Sequence, residues 1–193
     1  MLFKKMLKII IRKIFTSFCI FFFFSLNSYS SENYIKELEE GEKIIFIRHA
    51  LAPGSGDPPK FKIKDCKTQR NLSQTGIDQS KRIGKFFKVK NISIDKVLSS
   101  QWCRCKDTAR YAFGMYKEFS PLNSTFQSKF SKNEPRQLKE LNKYISKWNG
   151  KGKNLVLVTH YSIITAITDA VPSSGEIVIT DKQFNVLATI LID

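Results

Sequence analysis

Two short apolar runs, each delivering a histidine, constrain this chain more than anything else in it. Ile44, Ile45, Phe46 and Ile47 are followed by Arg48 and His49, and Leu155, Val156, Leu157 and Val158 are followed by Thr159 and His160. Continuous apolar runs of this length, bounded by charge, predict strands buried on both faces. Such strands belong to sheets covered by helices on either side, where ligands bind beyond the carboxyl ends of the strands. The sequence holds two histidines in all. Each falls where a buried strand meets that crevice.

Around these runs the chain alternates between strand and helix. Residues 51–70 contain Pro53, Gly54, Gly56, Pro58 and Pro59, punctuation that predicts a long loop leaving the tip of the first strand. Ser73 is placed to cap a helix whose apolar face carries Ile77, Ile83, Phe86 and Phe87 and which ends near Asn91. A strand over 94–98 has Ser99 and Ser100 at its tip, and a helix bearing Thr108, Ala109, Ala112 and Phe113 follows. Residues 119–130 read as a short edge strand and a loop. A helix over 135–148 sets Leu138, Leu141, Ile145 and Trp148 on one side, and another over 163–170 stops before Pro172. Residues 177–180 and 184–192 alternate as an antiparallel pair. The order predicts an α/β fold, a three-layer αβα sandwich with a mostly parallel sheet and an antiparallel C-terminal edge.

The first thirty residues read as an export signal. Lys4, Lys5, Lys8, Arg12 and Lys13 make a basic start, residues 14–24 an apolar core, and Ser28 and Ser30 offer small residues for cleavage. The apolar core falls short of the ~20 residues a spanning helix needs, so a cleaved signal is expected ahead of an uncleaved anchor. The bulky Phe18 before Cys19 argues against lipidation. Residues 1–30 are thus expected to be removed, leaving residues 31–193 as one domain in the periplasm or secreted, with no stable membrane insertion. Five of the 32 Lys and Arg and none of the 17 Asp and Glu fall within the signal, so the remainder carries a net charge of +10. Its lysines are scattered singly, without a basic arm or aromatic interleaving, which argues against a specific nucleic-acid partner. A small phosphorylated substrate suits the charge better. The sequence carries no signal for an oligomeric state.

The strand tips together offer Arg48, His49, Arg104 and His160. Arginine binds phosphate oxygens as a two-pronged fork, a neutral histidine can attack phosphorus, and fixed positive charge disperses the charge on a transferring phosphoryl group. At these residues the chain resembles the histidine phosphatase superfamily, with its phosphoglycerate mutase-like fold, and within it a small exported phosphatase. The resemblance rests on Arg48-His49-Ala50, on Leu72-Ser73-Gln74-Thr75-Gly76, on Ser99-Ser100-Gln101-Trp102-Cys103-Arg104 with Thr108-Ala109, and on Val158-Thr159-His160. It implies His49 as the phosphorylated nucleophile, with Arg48, Arg104 and His160 holding the phosphoryl group.

The chain departs from the family pattern in three places. Ala50 stands where glycine is usual, as in small phosphohistidine phosphatase-type members, and Tyr161 follows His160 in place of glycine. No segment after Arg104 resembles the mutase region that carries an acidic proton donor. Asp57 is the leading donor, because its loop springs from the nucleophile strand; a plain loop carboxylate reads equally well there. Asp65, Glu134 and Glu176 are its rivals. Arg70 and Arg110 are candidates for additional phosphate ligands but read more readily as members of surface or helix ion pairs, and Trp102 as lining the site mouth or packing under the loop. No histidine or cysteine cluster has metal-site spacing; neither a metal nor another cofactor is expected.

The resulting expectation is an exported phosphomonoesterase working through phosphohistidine. A phosphoglycerate mutase-type phosphotransferase and a non-catalytic phosphate-binding protein on the same fold are the alternatives. Three cysteines follow the signal, and in an oxidising compartment Cys66 is expected to pair with Cys103 or Cys105, leaving the third reduced and buried.

Overall fold

The computed structural model describes residues 34–192. The signal expected over residues 1–30 lies outside the described residues, and among those described no helix is long and apolar enough to cross a membrane. A compact unit begins at Leu38 and takes in the described residues that follow it. Its elements are β1 (Ile44–Arg48), α1 (Gln74–Val89), β2 (Ile94–Ser99), α2 (Cys103–Phe113), β3 (Lys117–Glu118), α3 (Ser128–Ser131), α4 (Glu134–Lys147), β4 (Asn154–Thr159), α5 (Tyr161–Thr168), β5 (Ile177–Thr180) and β6 (Val186–Ile190). Single 3-10 turns lie at Cys66–Thr68 and Ser120–Leu122.

The six strands form one sheet in the order β3-β2-β4-β1-β5-β6. The first four are parallel, while β5 runs antiparallel to β1 and β6 antiparallel to β5. All six residues of β4 are buried, which explains why the strand reads as an unbroken apolar run. Alternate side chains serve opposite faces. Ile44, Phe46, Leu155 and Leu157 pack with Leu141 and Ile145 of α4 and Ile163 and Ile164 of α5. Ile45, Ile47, Val156 and Val158 point the other way and are equally buried, as are Ile83 of α1 and Ala109 of α2. Each large aliphatic side chain buried in this way contributes about 1.5–3 kcal/mol before entropy is counted.

Glycine sets how closely these layers approach. A Cβ at Gly76 would lie 2.1 Å from the Leu51 carbonyl oxygen, and one at Gly84 2.1 Å from that of Ala112. The first glycine lets α1 start against the chain leaving β1; the second lets α1 and α2 touch backbone to backbone. Ser73 caps α1 as expected, its hydroxyl accepting from the Gly76 N–H at 3.1 Å.

Residues 119–130 differ from the expectation. The edge strand lies just ahead of them, at β3, and the segment itself holds the turn Ser120–Leu122 and the single-turn helix α3. Pro121 favours the turn, and Leu122, fully buried, pins it while its carbonyl accepts from Thr159 Oγ1 at 2.7 Å.

Candidate active site

Sheet register assembles the site. Arg48 stands opposite Thr159, and Ser99 opposite Val158. The chain then continues one residue past each strand: His49 N–H donates to the Thr159 carbonyl at 2.9 Å and Ser100 N–H to the Val158 carbonyl at 3.0 Å. Because β4 lies between β1 and β2, His160 sits beside His49 on one flank and Ser100 on the other. The two imidazole centroids are 5.4 Å apart and meet edge to face. Both residues are 3 % exposed.

Each imidazole has a defined tautomer. His49 Nδ1 lies 2.9 Å from the Ala50 carbonyl oxygen, which can only accept, so the proton sits on Nδ1 and Nε2 carries the lone pair. Asn123 Oδ1 accepts from the Gln101 N–H at 2.9 Å and, at 3.1 Å, from Ser100 Oγ. The Ser100 oxygen, 2.9 Å from His160 Nε2, therefore accepts from that nitrogen. His160 Nδ1 is left to accept from Arg104 Nη2 at 3.4 Å. Burial first, and the Arg104 charge second, hold both imidazoles well below the ordinary histidine range. Both are neutral near pH 7.

Arg104, 3 % exposed, is held by Asp57. Its Nη1 lies 2.9 and 3.1 Å from the two carboxylate oxygens. Asp57 also accepts from the Trp102 indole N–H at 2.9 Å and the Arg70 backbone N–H at 3.1 Å. Thr108 secures the other side, receiving the Ala50 N–H at 3.0 Å and donating to the Arg104 carbonyl at 2.8 Å. Arg48 donates to the Pro172 carbonyl at 2.8 Å and lies over the Tyr161 ring. The Nε groups of Arg48 and Arg104 are buried without a hydrogen-bond partner.

Arg48, His49, Asp57, Arg104, His160 and Tyr161 line a cavity of about 280 Å³. Arg70 lines it too, which corrects the expectation of an ion pair. Its guanidinium donates to the carbonyls of Gly56, at 2.7 Å, and Ala52, so the loop's own backbone aims it inward. Arg110, by contrast, pairs with Asp107 on the surface at 2.8 Å, as expected. The cavity lining thus sets three guanidiniums against one carboxylate, Asp57, with the imidazoles uncharged. Such a lining selects an anion.

The other carboxylates weighed for a catalytic role do not line the cavity. Asp65 caps the turn Cys66–Thr68, Glu134 accepts from Thr125 Oγ1 at 2.7 Å, and Glu176 accepts from the Ser173 N–H at 2.6 Å. Trp102 is buried beneath the loop, its ring against Phe61, Phe130 and the edge of His160. Cys66 and Cys103 form a disulfide, and Cys105 remains a buried thiol. Burial pushes the Cys105 pKa up to about 12, so it is no nucleophile despite lying 3.4 Å from His160 Nε2. Among the described residues no group of three His, Cys, Asp or Glu is placed to hold a metal ion.

No family model matches the chain, and no curated protein matches it in sequence. Solved structures do match. The protein histidine phosphatase SixA, solved with tungstate, is 14 % identical with a TM-score of 0.51, over 75 % of this chain and 92 % of that one. A phosphoglycerate mutase from Thermus thermophilus is 16 % identical with a TM-score of 0.51, over 78 % and 99 %. The chain therefore has the fold of the histidine phosphatases and phosphoglycerate mutases.

Proposed function

We propose that the protein is an exported phosphatase of the histidine phosphatase superfamily, hydrolysing a phosphomonoester through a phosphohistidine on His49. One observation carries this reading: two neutral imidazoles and three guanidiniums face a single cavity. The His49 Nε2 lone pair attacks phosphorus, forming the N–P bond as the P–O ester bond breaks. Arg48, Arg70, Arg104 and His160 surround the transferring group, and the two free Nε–H groups are ready donors to its oxygens. Water then adds to phosphorus, the N–P bond breaks and inorganic phosphate leaves. Asp57, engaged by three donors, serves as the carboxylate that aims Arg104, and the leaving oxygen takes its proton from solvent. Substrates whose leaving groups need little protonation are then preferred.

Export is supported by the Cys66–Cys103 disulfide, a bond that persists in oxidising compartments. The fold shared with a mutase supports a second reading, in which the phosphoryl group passes to another hydroxyl instead of water.

One experiment separates these readings. The full chain is mixed with 32P-labelled phenyl phosphate and quenched in alkali, where phosphohistidine survives. Label on the His49 peptide with release of free phosphate is expected, and His49→Ala should abolish both. In a parallel reaction with phosphoglycerate, isomerisation without net phosphate release would establish the mutase reading. Absence of turnover across aryl and alkyl phosphates would leave a binding protein.

A further inference from the structure

A second cavity, of about 400 Å³, meets the first at Ser124. Phe61, Trp102 and Phe130 form its aromatic wall, with ring centroids 5.5 to 5.8 Å apart. The ammonium of Lys129 stands 4.8 Å from the Phe61 ring centre and 4.9 Å from that of Phe130. Arg136, paired with Glu140 at 2.9 Å, lines the same space, and no carboxylate does. Trp102 belongs to both regions: its ring walls the second cavity, and its indole N–H holds the carboxylate that aims Arg104. The anion-lined cavity that holds His49 thus borders, through Ser124, an aromatic, cation-bearing cavity.

We infer that this second cavity holds the leaving group of the substrate, and that this group is a planar ring bearing its own anionic substituent. The inference rests on the phosphatase reading above. A planar ring gains from the aromatic wall, and its acidic substituent from Lys129, which has no carboxylate partner among the residues lining the cavity. A phenolic leaving oxygen also departs with less need of a proton than an alkyl one, in keeping with an Asp57 committed to Arg104.

The test compares 4-carboxyphenyl phosphate with phenyl phosphate on the full chain and on Lys129→Glu, Lys129→Arg and Phe130→Ala. Lys129 is exposed, so its replacement leaves the fold intact, and thermal melting checks each variant. The ratio of kcat/KM for the two esters should fall about tenfold in Lys129→Glu and recover in Lys129→Arg. Phe130→Ala should slow both aryl esters relative to ethyl phosphate. A ratio indifferent to the charge at position 129, with turnover intact, overturns the inference and spares the phosphatase reading. If the intact protein cleaves neither ester, that reading fails, and calorimetric binding of 4-carboxyphenyl phosphate decides the cavity. Affinity weakened about tenfold by Lys129→Glu sustains the site; unchanged affinity removes it.

Discussion

Arg104 is held by Asp57 through one nitrogen and both carboxylate oxygens, at 2.9 and 3.1 Å, with 3 % and 2 % of the two side chains exposed. A pair this dry tolerates the loss of neither partner. Asp57→Asn should cost about 3–5 kcal/mol of stability and lower kcat/KM about a hundredfold, as losing an aligned charge does. The variant also separates two roles. If Asp57 aims Arg104, a series of aryl phosphates slows uniformly and the dependence on leaving-group pKa keeps its slope. A steeper slope in the variant would make Asp57 the proton donor.

The pH dependence follows from the two imidazoles. Their pKa values are held down in the folded protein by burial and then by Arg104, so the proposed nucleophile His49 stays unprotonated into acid. The acid limb of kcat/KM should lie below the unperturbed value of about 6.5, as a pH–rate profile on phenyl phosphate would reveal. An acid limb at or above that value would remove the guanidinium cage from around His49.

Stability carries the matching sign. Below about pH 6.5 the unfolded chain binds protons at both histidines that the folded protein does not, so folding weakens as pH falls from there toward the depressed folded values. Two histidines contribute at most about 2.7 kcal/mol per pH unit. Denaturant midpoints measured from pH 7.5 to 5 should decline, and the His49→Asn, His160→Asn double variant should decline less.

Removing the cross-link should loosen the loop that carries Asp57 and Arg70. The Cys66–Cys103 bond spans 37 residues, for which chain entropy gives about 4 kcal/mol as an upper figure. Cys66→Ser should unfold at lower denaturant and show a raised KM. Alkylation of the unfolded but unreduced protein, read by peptide mapping, should find one free thiol among Cys66, Cys103 and Cys105, at Cys105.

Gly76→Ala tests the close approach of α1. Its new Cβ would meet the Leu51 carbonyl, which also accepts from the Ser73 N–H at 3.0 Å. Backbone on both sides leaves little room to yield, and a loss of about 2–3 kcal/mol is expected.

What was legible in the sequence was what depends on neighbours along the chain. β1 and β4 read as apolar runs because both faces are buried, and Ser73 read as a cap because capping is a three-residue affair. The disulfide was legible down to one choice. Residues two apart on a helix point about 200° apart: Cys103, at the start of α2, faces the loop, whereas Cys105 faces the sheet and His160. Arg70 reads more readily as an ion-pair member than as a phosphate ligand because its direction comes from carbonyls within an irregular loop, which no periodicity announces. Its place between the punctuated loop and the Leu72-Ser73 motif was the available signal. Asp57 was picked out by position, but its three donors come from Arg104, Trp102 and Arg70, and only the folded chain brings them together.

The position of β4 has a consequence for a chain that emerges end first. Residues 44–113 already contain His49, Asp57, Arg70, Arg104 and both cross-linked cysteines, yet β1 and β2 are not hydrogen-bonded to each other, and residues 154–159 are the strand that joins them. Pairings this distant in sequence are slow to form. Every shorter nascent chain therefore holds most of the chemical groups and no site, and its cysteines can meet an oxidant before its histidines meet each other. The proposed site is complete only with the last parallel strand, which brings His160.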